Sequence, residues 1–251
     1  MKNKHGVLVF VMALAVSVLT ITERARAVTI DSFDDTFQSI TATAESSFPV
    51  SSTISASEAI GGSRTLEILS VTGLLSSTLA VLPKPGNPDG VLTLSNDFGN
   101  LSSAVVKWDA NGFGLGGVDL TALGADSIGI ELVSMDLLGA VDLTVIITDT
   151  GGDIATKLLA GANIGQNVFE FNTFTNALNV DFSLVNAISL SLQTIVVAAD
   201  LSIDFFETLE APPPPTVPEP ATIGLLGIGL AGLGSVYLRR KYRRSKKQQC
   251  K

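Results

Sequence analysis

The 251-residue sequence holds one histidine, one cysteine and one tryptophan. The histidine is His5 and the cysteine is Cys250, so the long middle of the chain has neither. That excludes a disulfide within the middle region, a zinc site built from His and Cys, and a Ser-His-Asp or Cys-His nucleophilic mechanism. Cations are nearly as scarce. Residues 28–216 contain only Arg64, Lys84, Lys107 and Lys157 against 22 acids, a formal charge of −18. A domain so acidic is repelled by polyanions, which excludes nucleic acid as its partner. Both tyrosines, Tyr237 and Tyr242, lie near the end of the chain, so the middle relies on Trp108 and its phenylalanines for aromatic surface.

What is present is sharply partitioned. Lys2 and Lys4 precede an almost unbroken apolar run over residues 6–21, and Ala25-Arg26-Ala27 follows. A positive start, an apolar stretch and an A-x-A site predict a signal peptide over residues 1–27, cut by signal peptidase after Ala27. The competing reading is an uncleaved N-terminal membrane helix. At the other end, four prolines at 212–215 predict a stiff spacer over residues 211–216. Residues 221–238 then run 18 positions without a charge. As a helix they would span roughly 27 Å, enough to cross a bilayer core. Arg239, Arg240, Lys241, Arg243 and Arg244 follow, and such a basic cluster holds its end of a membrane helix in the cytoplasm. The helix carries Gly224, Gly227, Gly229, Gly232 and Gly234, each lowering helix stability by roughly 1 kcal/mol relative to alanine. Either a protease exploits the local unwinding, or the small residues pack against a neighbouring helix.

Val217-Pro218-Glu219-Pro220, the Gly-rich apolar stretch and the basic cluster occur in that order over about residues 216–244. This arrangement resembles the PEP-CTERM sorting signal. The resemblance implies recognition by an exosortase of a Gram-negative bacterium at Pro218, Glu219 and Pro220, passage through a membrane intermediate anchored by 221–238, and removal of the helix and tail. It also implies association with exopolysaccharide production. The basic tail 245–251 extends beyond the pattern.

The middle reads as strands. Alternating or β-branched stretches occupy residues 64–71, 91–95, 104–109, 127–135, 141–149, 169–171, 187–194 and 201–206. Turn clusters separate them at 83–90, 111–117 and 150–153. No stretch carries a long helical period. The expectation is all-β: a single jelly-roll-like β-sandwich over 28–210, flanked by the signal peptide and the C-terminal transmembrane helix. Five short runs carry a second resemblance, to galactose-binding-like and carbohydrate-binding jelly-roll modules: Ile30–Asp35, Gly61–Arg64, Val118–Thr121, Ala125–Ile128 and Leu201–Asp204.

Acids gather near both ends of this region, with Asp31, Asp34 and Asp35 at the start and Asp200, Asp204 and Glu207 at the finish. Oxygen ligands suit calcium, which makes Asp31, Asp34 and Asp204 candidate ligands of a structural Ca²⁺; solvated surface acids are the competing reading. Glycoside hydrolysis needs only two carboxylates, but 22 acids guarantee pairs by chance, so the domain is expected to be non-enzymatic. Trp108 and Phe113 are the candidate rings for stacking on a sugar, although Trp108 shares a strand face with Val106 and suits the core. Arg64, the one arginine of the region, is expected to pair with a carboxylate and staple the sandwich. Asn100-Leu101-Ser102 fits the N-x-S glycosylation pattern and is read as chance. The reading is an exported surface or matrix module contacting extracellular polysaccharide. A calcium-stabilised adhesive or spacer domain is the alternative and a hydrolase the least favoured.

Replacing Pro218, Glu219 and Pro220 together by alanine is expected to leave full-length protein in the membrane fraction. Immunoblotting of fractionated cells checks this, and unchanged processing would refute the sorting signal.

Overall fold

A computed structural model describes residues 26–83 and 90–210. Residues 1–25 of the expected signal peptide, the proline spacer, sorting signal, transmembrane helix and basic tail lie outside the described residues. The strands are β1 (Arg26–Asp31), β2 (Gln38–Thr43), β3 (Val50–Ser55), β4 (Ser63–Thr72), β5 (Ser76–Leu82), β6 (Val91–Asn96), β7 (Leu101–Trp108), β8 (Ala125–Met135), β9 (Val141–Asp149), β10 (Ile154–Leu159), β11 (Gly165–Glu170), β12 (Val185–Thr194) and β13 (Leu201–Glu210). Period-2 patterning sets their faces. In β9, Val141, Leu143, Val145 and Ile147 are buried while Asp142, Thr144, Ile146 and Thr148 between them are half-buried.

Two antiparallel sheets result. The first runs β11-β8-β13-β6-β5-β2, with β1 pairing the second half of β13. The second runs β10-β9-β12-β7-β4-β3. Apart from the hairpins β5–β6, β9–β10 and β3–β4, neighbours in each sheet are not consecutive in the chain, so most connections cross from sheet to sheet in the manner of a jelly roll. The apolar faces meet in one cluster whose members run from Ile30 to Phe206, and the chain divides into separate units at Ala211. Residues 26–210 therefore carry their own core. At one tight spot Gly129 lies directly under Leu209 of the paired strand, and any side chain there would strike the leucine.

The core also holds a charged pair. Arg64 of β4 and Asp31 of β1 are both fully buried. Nη1 of Arg64 donates to Asp31 Oδ1 and Oδ2 at 2.8 and 2.7 Å. Trp108 Nε1 donates to Oδ2 at 2.8 Å, and the Phe33 N–H donates to Oδ1 at 2.9 Å. Arg64 Nε donates to Gln38 Oε1, and its Nη2 to the Thr36 carbonyl. The Trp108 ring packs on Phe206 at 5.1 Å, across the gap between the sheets. β1, β2 and β13 belong to one sheet and β4 and β7 to the other, so this network is the expected staple. Burial, the largest influence, pushes the Asp31 carboxyl up from its ordinary value. The Arg64 charge and the Trp108, Arg64 and Phe33 donors act against it.

Five strands were not expected: β1, β2, β3, β5 and β10. Three of them, QSITAT, VSSTIS and SSTLAVL, alternate Ser and Thr with a few apolar residues, so their period is weak in hydropathy though regular in burial. The expected strand at 169–171 ends at Glu170, because Phe171 opens a 3-10 turn. Asn100 is fully buried with its amide engaged on both sides, so the N-x-S match is not an acceptor in the folded domain.

Arg64→Met is expected to cost about 3–5 kcal/mol, because it strands the Asp31 carboxylate in the core. Adding Asp31→Asn to it should restore part of the loss by removing the unpaired charge. Urea unfolding of the two variants decides; a single-variant loss under about 1 kcal/mol would deny the staple.

Candidate functional site

The chain leaves β11 at Glu170 and returns into β12 at Val185, and the intervening segment builds a pocket. Phe171 starts the 3-10 turn, Phe174 follows it, and Phe182 comes back from the far side. The Phe171 and Phe182 rings stack at 4.6 Å and 21°. Phe174 meets Phe182 edge-on at 5.7 Å and 73°. All three are largely buried and extend the main core outward. An open depression of about 680 Å³ lies over this aromatic floor, and Asn172, Asn176 and Asn179 stand around it.

The amides are arranged by local backbone. Asn176 takes a left-handed conformation at φ 66°, which asparagine tolerates better than most residues. Its Nδ2 donates to the Ile154 carbonyl at 2.9 Å, and its Oδ1 accepts from Asn179 Nδ2. Thr175 and Thr156 exchange backbone hydrogen bonds, which pins the segment to β10. No residue lining the depression is charged. Each amide offers both donor and acceptor, so the lining sets neutral hydrogen-bonding groups beside apolar surface. The lining contains no carboxylate, so it provides no acid–base pair.

Asp149, at the end of β9, holds this region together. Its Oδ2 accepts the Asp181 N–H and its Oδ1 the Asp153 N–H, both at 3.0 Å. One carboxylate thus joins the expected hairpin turn at 150–153 to the pocket segment. The Asp181 N–H is the largest influence and holds the Asp149 carboxyl below its ordinary value, helped by the N–H groups of Asp153, Gly151 and Gly152 and opposed by burial.

A second depression, of about 480 Å³, lies near the opposite end of the first sheet and includes Thr93, Ser95, Ser134, Ser202, Asp136 and Asp200. Its two carboxylates serve the backbone: Asp136 Oδ1 accepts the Asp200 N–H at 2.9 Å, and Asp200 Oδ1 accepts the Asn96 N–H at 2.7 Å.

The residues singled out from sequence fall in different places. Phe113 is 88 % exposed on the loop after β7, on the same end of the sandwich as the aromatic pocket. Trp108 is wholly buried against Phe206 with its N–H given to Asp31, which corrects its assignment as a ligand contact. Asp31, Asp34 and Asp204 are not assembled as a calcium site either. Both Asp31 oxygens are taken by Arg64, Trp108 and Phe33, and Asp34 accepts the Gly90 N–H. Among the described residues no three His, Cys, Asp or Glu side chains group to hold a metal. Pro218, Glu219, Pro220 and the basic residues 239–244 lie outside the described residues. The aromatic pocket itself was not foreseen. Its trace in the sequence is the spacing of Phe171, Phe174 and Phe182 among asparagines in a stretch too polar for a strand.

Residues 216–241 match the PEP-CTERM protein-sorting motif. This motif directs export through an exosortase to the cell surface. No curated protein matches the chain in sequence. Among solved structures, PfGH50B superposes with a TM-score of 0.41 at 14 % identity, over 75 % of this chain and 24 % of that one. An exo-beta-agarase gives 0.36 at 15 %, over 59 % and 23 %. A family 11 carbohydrate-binding module from Clostridium thermocellum, in complex with a mixed-linked tetrasaccharide, gives 0.35 at 10 %, over 74 % and 98 %. The chain spans about a quarter of the length of the first two.

Because the Asp149 carboxyl is depressed in the folded state, its contribution to stability is complete above the ordinary aspartate value and is lost as pH falls through the lower folded value. Wild type is therefore expected to lose stability below about pH 4 more steeply than Asp149→Asn. Urea midpoints measured across that range give the comparison; parallel acid limbs would remove Asp149 from this role.

Proposed function

We propose that the chain is an exported surface protein whose β-sandwich is a non-catalytic module for a neutral extracellular polysaccharide. In this reading residues 1–27 are the signal peptide, 28–210 the module, 211–216 a spacer, and 217–244 the sorting signal with its transitory membrane helix. Signal peptidase and an exosortase process the two ends. β1 begins at Arg26, so a cut after Ala27 trims two residues from it and spares the Val28 N–H, which donates to Thr208 Oγ1.

The observation that carries the binding role is the uncharged pocket of three phenylalanines and three asparagines. Sugars present apolar ring faces edged by hydroxyls, and a ligand of that kind is served by aromatic floor and amide rim together. The charge of −18 turns acidic polymers away, which narrows the ligand to a neutral one. In the second depression a hydrolytic reading would need Asp136 and Asp200, and each accepts a backbone N–H at Oδ1, as structural carboxylates do. A spacer role without ligand stands as the alternative if the pocket proves empty of function.

Purified residues 28–210 are expected to co-sediment with the producing organism's extracellular polysaccharide, with or without calcium. Asn172→Ala and Asn179→Ala should each weaken retention about fivefold, the worth of roughly one hydrogen bond. Absence of retention in both conditions would leave the spacer reading, and retention that requires calcium would return the acidic residues to the argument.

A further inference from the structure

The asparagines around the aromatic pocket are not equivalent. The Asn172 side chain makes no hydrogen bond among the described residues, whereas Asn176 and Asn179 form a chain that starts at a backbone carbonyl. A carbonyl only accepts. The atom of Asn176 that meets the Ile154 carbonyl at 2.9 Å is therefore the donor Nδ2, and the other branch of that amide is the acceptor Oδ1. Asn179 meets this Oδ1 and so turns its own Nδ2 toward it. Turning either amide over would set two acceptors or two donors face to face. The Ile154 carbonyl thus fixes the polarity of both amides, and Asn179 Oδ1 is left on the side away from Asn176.

The backbone holds this chain in place. Asn176 stands at φ 66°, directly after the Thr175 bridge to β10. The Asn179 N–H donates to the Asn176 carbonyl at 3.1 Å, so main chain and side chains close the same turn. Val180, the next residue, is buried, and Phe174 and Phe182 on either side of the turn pack edge-on in the floor. The rim amides are therefore registered to the rings.

We propose that Asn176 is a positioning residue and that Asn179 Oδ1 is a fixed acceptor of the pocket, to which the ligand must bring a hydrogen-bond donor. This rests on the reading of the pocket as a site for a neutral polysaccharide and specifies which end of a ligand group each side chain takes. A sugar hydroxyl meets Asn179 with its proton directed at Oδ1. A free hydroxyl can do this, and an O-methylated one cannot. Asn172, with both branches of its amide unengaged, donates or accepts as the ligand requires. Selectivity sits at Asn179 and adaptability at Asn172, while Asn176 acts through Asn179.

Two substitutions separate positioning from plain support. Asn176→Gly takes the left-handed backbone freely and removes the amide. Asn176→Asp tolerates the same backbone, keeps an oxygen for Asn179 Nδ2, and like glycine loses the donation to Ile154. The loss at Ile154 is common to both, so the orientation of Asn179 is what distinguishes them. In isotope-labelled residues 28–210 without ligand, the Asn179 side-chain amide protons should exchange with water about threefold more slowly than those of Asn172 in wild type and Asn176→Asp, and at the same rate in Asn176→Gly. Retention on the producing organism's extracellular polysaccharide should fall about fivefold for Asn176→Gly and stay within about twofold of wild type for Asn176→Asp. Asn179 exchange that is equal in wild type and Asn176→Gly overturns the proposal. So does retention of Asn176→Asp as weak as that of Asn176→Gly, and so does wild-type retention undiminished on the same polymer after O-methylation. A wild type not retained on the native polymer removes the polysaccharide reading instead, and the exchange rates still decide whether Asn176 holds Asn179.

Discussion

The Asp31–Arg64 pair is the constraint around which the sandwich is arranged. Two charges at zero exposure are tolerable only together. Their pairing requires β1 in the first sheet to sit opposite β4 in the second, with the Trp108 N–H directed at the same carboxylate. A one-residue slip of β1 would turn Asp31 outward and leave the buried Arg64 with Asp35, at 3.5 Å, as its remaining carboxylate partner. The pair therefore selects one register among the several that Ser- and Thr-rich strands would otherwise permit. The Arg64 guanidinium also lies 5.6 Å from the centre of the Phe33 ring, so the turn after β1 is fixed by the same residue. Because β1 comes from the very start of the domain and β13 from its end, the network closes the fold only when the whole span is present.

The same scarcity of cations explains what the other acids do. With four positive residues against 22 acids, most carboxylates cannot find an ionic partner. The structure satisfies many of them with backbone N–H groups instead. Asp34 takes the Gly90 N–H, Asp97 the Ser76 N–H, Asp136 the Asp200 N–H, Asp149 those of Asp153 and Asp181, and Asp200 the Asn96 N–H. Apart from the Asp149–Asp153 hairpin turn, these closures join segments distant in sequence. Asp31 and Asp34, which look like metal ligands in one dimension, are in three held by donors of the fold itself.

Legibility followed side-chain chemistry. Strands whose inward positions are aliphatic, such as β9 and β12, were visible in the sequence with bounds near those observed. β2 and β3 were not, because serine and threonine fill their outward positions, while the inward ones mix Gln38, Ile40 and Ala42 in β2 with half-buried Val50, Ser52 and Ile54 in β3. Arg64 was legible as a staple because a lone arginine among acids has few other fates. Its partner was not, since choosing Asp31 over 21 other acids needs the register of β1. Trp108 was ambiguous between core and sugar platform, and the buried acceptor at Asp31 settles it inside. The pocket was hidden for a different reason. Its three rings belong to a connection, where neither helix nor strand periodicity reports burial.

The two ends of the sandwich differ in chemistry in a way that the fold enforces. β1 and β13 run antiparallel with Arg26 against Leu209, so whatever precedes and follows the described span joins the same end. The amide-lined pocket and the exposed Phe113 share that end. The exposed apolar side chains around Asn100 are at the other. Exposed leucines at that pole carry a standing risk of nonspecific association, which a net charge of −18 counters by repulsion between copies.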